Sequence, residues 1–213
     1  AGVAAAIFLI SVYYMSEGRK LVAFGLIAVA CMFHYSALSL FPLLFLDNKP
    51  MCRVKKMMMA SIVPMCFLLY FLNLDLLTTI PIPYVTDKVE GYKAASEFGA
   101  VAKNSILNPF PLIKMVVFLF LLYFADTVER YVPSIHLLIK ILGCSLVVYF
   151  AFSSITIISI RISELYGIVE LVAYPCIAYI IRPKAVGTLF VCMIAIIEMV
   201  FNTIMWGFFD FTV

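Results

Sequence analysis

Long apolar runs broken by short polar links set the pattern of this chain. Residues 1–15 form the first run, ended by Ser16-Glu17-Gly18-Arg19-Lys20. Residues 21–46 form the second, with a polar island, His34-Tyr35-Ser36, near its middle. A basic link, DNKPMCRVKK at 47–56, precedes a third run at 57–77. Further runs occupy 111–125, 135–158, 165–181 and 185–205. Their links lie around Asp126–Pro133, around Arg161–Glu164 and at Arg182-Pro183-Lys184. A membrane span needs about 20 apolar residues. The pattern therefore predicts an all-α, polytopic transmembrane helical bundle of about six or seven spans, forming one domain over 1–213.

Two stretches depart from simple spans. At 1.5 Å per residue, 21–46 as one helix would run about 39 Å, long for a hydrocarbon core of about 30 Å. A re-entrant hairpin turning near His34 is preferred, because it brings the basic turns on both flanks to one side. The interval 78–110 is the longest polar one, bounded by Pro81 and Pro83 at one end and Pro109 and Pro111 at the other. Asp87 followed by Glu90 resembles a capping box. Val89, Tyr92 and Phe98 can then share a face, so a short amphipathic surface helix is expected there.

Charge sets the orientation. The 47–56 link holds Lys49, Arg53, Lys55 and Lys56. Alternating sides from there places Arg130 and the Arg182/Lys184 turn with it, on the cytoplasmic side by the positive-inside rule. The 78–110 loop, Arg161 and the C-terminal tail then fall outside. Hydrophobic residues make up 65% of the chain and charged residues 13%, against about 25% charged in soluble domains. The net charge of +3 is too small to suggest nucleic acid. Its six cysteines form no Cys-x-x-Cys, so neither a disulfide framework nor a zinc site is expected. No phosphate-cradling loop, nucleotide site or nucleophile elbow is present, and no metal or cofactor is expected.

Ionisable groups inside a membrane are functional candidates by default. His34 with Ser36 is one group. Arg161, Ser163 and Glu164 form a second, and Glu170 and Glu198 lie deeper in apolar runs. His34 either locks two helices through a hydrogen bond or serves as a base or donor to substrate. Arg161 either snorkels and pairs with Glu164 or offers its planar fork of donors to a phosphate. Aromatics of the long loop, Tyr92 among them, either anchor at the interface or stack on sugars.

Two segments make the chain resemble the EpsG-like family, a branch of the Wzy-type exopolysaccharide and O-antigen polymerases. The first covers 4–46 and centres on A-x-x-F-H-Y-S-A-L at Ala30–Leu38. The second is Arg161-Ile162-Ser163 with Tyr166 close behind. Family members usually carry paired aromatics directly after this arginine segment; here Glu164 and Leu165 intervene. The resemblance implies further helices upstream and an arginine just before the Ala-rich opening helix. It also implies a glycosyltransferase-type enzyme in the bacterial cytoplasmic (inner) membrane, with several passes. It would join oligosaccharide repeat units carried on undecaprenyl diphosphate at the outer face, in contact with other membrane proteins of polysaccharide assembly. His34 and Arg161 would be catalytic, and Ser36, Tyr92, Ser163, Glu164 and Tyr166 would bind substrate. Two other classes compete: a membrane acyltransferase that modifies polysaccharide, and a flippase or transporter of lipid-linked sugars.

Overall fold

The computed structural model describes residues 1–72, Gly91 and 109–205, and these residues are helical with no strand. The expected surface helix within 78–110, Tyr92 and the C-terminal tail lie outside the described residues. The helices are α1 (Gly2–Ser16), α2 (Lys20–Phe33), α3 (Arg53–Ala60), α4 (Ile62–Leu72), α5 (Pro109–Tyr123) and α6 (Ala125–Val128). They continue with α7 (Ile135–Ala151), α8 (Thr156–Gly167), α9 (Glu170–Ala173) and α10 (Lys184–Met205). Two 3-10 helices, Tyr35–Phe45 and Tyr174–Tyr179, complete the set.

Two segments, Arg53–Leu72 and Lys184–Phe201, are long and apolar enough to cross a membrane by themselves. The remaining apolar helices are shorter. Much of their apolar surface faces outward: Leu21 and Phe45 are each 88% exposed. Exposed apolar faces on this scale suit contact with lipid better than with water.

α7 is the core. Leu137, Leu138, Ile139, Ile141, Leu142 and Leu146 are all buried on it, and α4, α5, α8 and α9 pack around it. Gly143 lets them come close. A Cβ there would stand 3.0 Å from Ile62 Cδ1 and 3.1 Å from Phe118 Cε2. The peripheral helices bury single stripes. On α1 these are Ala4, Phe8, Ser11, Val12 and Met15; on α2 they are Ala23, Ile27 and Ala30. That spacing is the helical period.

The chain does double back in 21–46. α2 stops at His34, whose backbone is extended (φ −157°, ψ 116°). His34 N–H closes the last turn of α2 on Ala30 O at 3.0 Å, and its carbonyl accepts Ala37 N–H at 2.9 Å. The returning limb is the 3-10 helix, which buries Ala37, Leu40 and Leu43, the three-residue period of that geometry. Phe24 meets Phe41 with ring centroids 5.1 Å apart, and Lys20 and Leu21 line a groove with Leu44 and Phe45. Lys20 therefore sits beside the far end of the hairpin.

The expected link at Arg161–Glu164 is a correction: these residues lie inside α8, not between helices. The run at 135–158 is broken earlier, at 152–155, where Ser153 and Ser154 stand in a turn. Both side chains are exposed on α8, and neither Arg nor Glu breaks a helix by itself. The run at 165–181 is also interrupted, by α9 and the second 3-10 helix.

The links expected on one side do gather. Lys140 Nζ lies 2.6 Å from Asp47 Oδ1, and Asn48 Nδ2 donates to Pro133 O at 3.0 Å. Lys56 pairs with Asp126 at 2.8 Å, and Tyr131 stacks on Tyr179 at 4.9 Å. The links at 47–56 and 126–133 and the turn before Lys184 thus share a basic end.

Candidate functional site

α7 and α8 run antiparallel, tied by two serines. Ser145 Oγ donates to Ser163 O at 2.7 Å, and Ser159 Oγ donates to Tyr149 O at 2.6 Å. Arg161, between those rungs, is level with Val147. That is seven residues beyond Lys140, or about 10 Å along the axis away from the basic end. The hairpin packs on α8, and the Tyr166 hydroxyl donates to Ser39 O across that contact. This places His34 within electrostatic reach of Arg161. The two residues picked from separate parts of the sequence therefore lie within electrostatic reach of one another, His34 half-buried and Arg161 exposed.

A second set of charges adjoins them. Lys114 of α5 projects inward, with Nζ 2.6 Å from Glu170 Oε1 of α9 and 3.1 Å from Ser145 Oγ of α7. Both side chains of the pair are mostly buried, at 13% and 20% exposure. Gly167 makes room for it: a Cβ there would stand 2.6 Å from Glu170 Oε1 and 3.0 Å from Lys114 Nζ. Glu164, on the same side of α8 as Arg161 three residues earlier, is within electrostatic reach of Lys114, Glu170 and Arg161. Glu198 of α10 reaches the same Lys114 and Glu170. Tyr174 is 6% exposed, and its hydroxyl lies within electrostatic reach of Glu170 and Glu198. A band of polar groups linked by electrostatic reach thus runs from His34 past Arg161 and Glu164 to Glu198.

The other expected site residues divide. Ser36 is half-buried on the 3-10 limb, and its carbonyl accepts the Ser39 hydroxyl at 2.7 Å. Ser163 is buried, with its carbonyl already engaged by Ser145. Tyr166 is buried and anchors α8 to the hairpin. Glu164 is exposed beside Arg161. Glu170, read from sequence as an isolated acid, is paired. Lys114 escaped notice, although a lysine between Ile113 and Met115 in an apolar run carries the same signal that singled out the glutamates. Among the described residues, no group of three or more His, Cys, Asp or Glu is placed to hold a metal.

The profile of the EpsG family matches residues 1–211. The chain belongs to the EpsG family. For this EpsG-family chain, membership together with the apolar helices indicates a membrane protein connected with exopolysaccharide. No curated protein and no solved structure matches it. The two segments that carry the resemblance are those that meet at the hairpin–α8 contact.

Proposed function

We propose that this EpsG-family protein is a multi-pass enzyme of the bacterial cytoplasmic membrane that polymerises oligosaccharide repeat units carried on undecaprenyl diphosphate. The observation that carries the reading is that the hairpin packs on α8, with His34 within electrostatic reach of Arg161 in the half of the bundle away from the basic end. With the basic end in the cytoplasm, as the positive-inside rule has it, that half faces outward. A lipid diphosphate headgroup lies at such a depth.

In this reading, the hydroxyl at the non-reducing end of one unit attacks the anomeric carbon of the growing chain. The carbon–oxygen bond to the lipid diphosphate breaks as the glycosidic bond forms. Arg161 holds the diphosphate with two parallel donors and neutralises the charge that builds on it as it departs. His34 orients the attacking hydroxyl and takes its proton. Ser36 and Glu164 line the site, Ser163 and Tyr166 hold α8 against its neighbours, and Tyr92 covers the sugars.

Complementation of a deletion strain tests this. Loss of the gene leaves single repeat units on the surface, and Arg161→Lys, which keeps the charge and loses the fork, fails to restore polymer. Normal polymer from that variant would remove the bidentate role. An unmodified polymer in the deletion strain would mark an acyltransferase instead, and precursor trapped facing the cytoplasm a flippase.

A further inference from the structure

A groove of about 480 Å³ lies between the returning limb of the hairpin, α3 with α4, and α7. Ligand sites commonly hold about 300–1,000 Å³. Its three walls start at the basic end and run inward. The limb contributes Leu46 back to Pro42, α3 and α4 contribute Lys55 to Ile62, and α7 contributes Lys140 to Val148. At 1.5 Å per residue, the stretch from Lys140 to Val148 covers about 12 Å. One leaflet of a hydrocarbon core of about 30 Å is about 15 Å deep. The groove is thus nearly as long as one leaflet is thick. Its chemistry is divided along that length. Ile62, Val147 and Val148 make the inner part apolar, and the charged groups of the lining, Lys55 and Lys140, stand at the basic end. Met58 and Met59 add unbranched side chains that adapt to an occupant of irregular shape. Lys140 Nζ is engaged by Asp47 Oδ1 at 2.6 Å and Asp47 O at 2.7 Å. Lys55 is exposed and pairs with no carboxylate among the described residues; Asp47 is held by Lys140 and Asp126 by Lys56.

We propose that this groove binds an anionic phospholipid of the leaflet at the basic end, with an acyl chain along the apolar walls and the phosphate at Lys55. The positive-inside rule puts that end in the cytoplasm, where the leaflet is anionic and each lysine near its surface adds attraction. Basic pockets between membrane helices on that side recognise anionic headgroups. An apolar protein segment laid in the groove would leave Lys55 without an anion, whereas a phospholipid supplies both the chain and the charge. The occupant is distinct from a substrate diphosphate, whose place is in the opposite half of the bundle. The inference therefore rests on the membrane setting and not on the proposed reaction. The chain fills the space between the hairpin and the central helix. Tyr166, which anchors the hairpin to α8, belongs to the same lining, so the lipid supports the contact that carries His34.

Native mass spectrometry of the purified full chain in micelles tests this by reading the lipid it retains. The probes are phosphatidylglycerol and phosphatidylcholine with identical acyl chains. The expected result is one phosphatidylglycerol held per chain, about fivefold more tightly than phosphatidylcholine. Lys55→Gln lowers phosphatidylglycerol affinity by about the same factor and leaves phosphatidylcholine unchanged. Lys184→Gln, an exposed lysine off the groove, changes neither. Cys144→Phe, which fills the groove part-way along α7, removes retention of both lipids. Equal retention of the two lipids, or K55Q without effect, overturns the headgroup site. An equal loss in K184Q marks a diffuse surface attraction and overturns it too. Full retention by C144F overturns the groove as the place of the chain. K55Q and K184Q alter exposed side chains, so their comparison decides the matter whether or not C144F folds. Tighter retention of farnesyl diphosphate than of phosphatidylglycerol overturns a phospholipid as the occupant, and so does a dimer of the chain that excludes both lipids.

Discussion

Replacing Lys114 with methionine removes the cation that Glu170 contacts among the described residues while nearly preserving side-chain length. Nζ and Oε1 stand 2.6 Å apart, with 13% and 20% of the two side chains exposed. At an effective dielectric constant of about 20, two unit charges at that spacing attract by about 6 kcal/mol before any desolvation is counted. Most of that attraction offsets the cost of taking both ions out of water. Breaking the pair by removing one partner forfeits the attraction and keeps the cost for the other, which is about 3–5 kcal/mol for a buried pair. Lys114→Met is therefore expected to cost about 3 kcal/mol. The loss of the bond to Ser145 Oγ adds to that figure, by about 1 kcal/mol. The double variant K114M/E170L removes both members of the pair and is expected to lie closer to wild type than K114M alone. The assay is reversible unfolding in mixed micelles by increasing detergent fraction, read as a double-mutant cycle. A K114M cost below about 1 kcal/mol, or two single changes that simply add, would refute the reasoning.

Gly167→Ala puts a methyl 2.6 Å from Glu170 Oε1, so it is expected to push the pair apart and cost about 1–3 kcal/mol. In the K114M/E170L background the same change should cost much less, which the same unfolding assay reads. Gly187→Ala meets backbone instead, with Ala178 Cα 2.9 Å away, and is expected to loosen α10 from the second 3-10 helix in every background. Tyr166→Phe deletes the hydroxyl bond to Ser39 O and is expected to cost about 1 kcal/mol and to weaken polymer formation, since it loosens the His34 hairpin from the Arg161 helix. At the basic end, the Lys140 ammonium bonded to Asp47 holds that carboxyl below its ordinary range. Its folded value lies under its unfolded one, so the stabilisation is present above the usual aspartate range and fades as pH falls through the lowered value. Lys140→Met should therefore flatten the acid limb of a stability-against-pH curve and leave the slope above neutrality unchanged.

The polar band was half visible in the sequence. His34, Arg161 and Glu164 announce themselves because an ionisable group in apolar surroundings is costly, and that cost depends on type and neighbours in the chain. Glu170 announces itself in the same way, but not its partner. Lys114 and Glu170 lie on helices that touch only because α7 gathers both, and Gly167 leaves space for their heads. Nothing local to Lys114 encodes that meeting.

By itself the sequence determined the helical class, the family and the break at His34. Each depends on hydropathy, on motif, or on the length an uninterrupted helix can have in a bilayer, and all three are properties along one dimension. It also determined which links share a basic end, since charge and alternation are countable. Only the tertiary structure decided that Arg161 and Glu164 sit within a helix, because neither residue type by itself ends one. It alone decided that the hairpin packs on α8, bringing His34 within electrostatic reach of Arg161, and that Lys114 pairs with Glu170. Those pairings depend on which helix faces close across the bundle, and many arrangements of apolar faces satisfy the same sequence pattern until side-chain volumes select one.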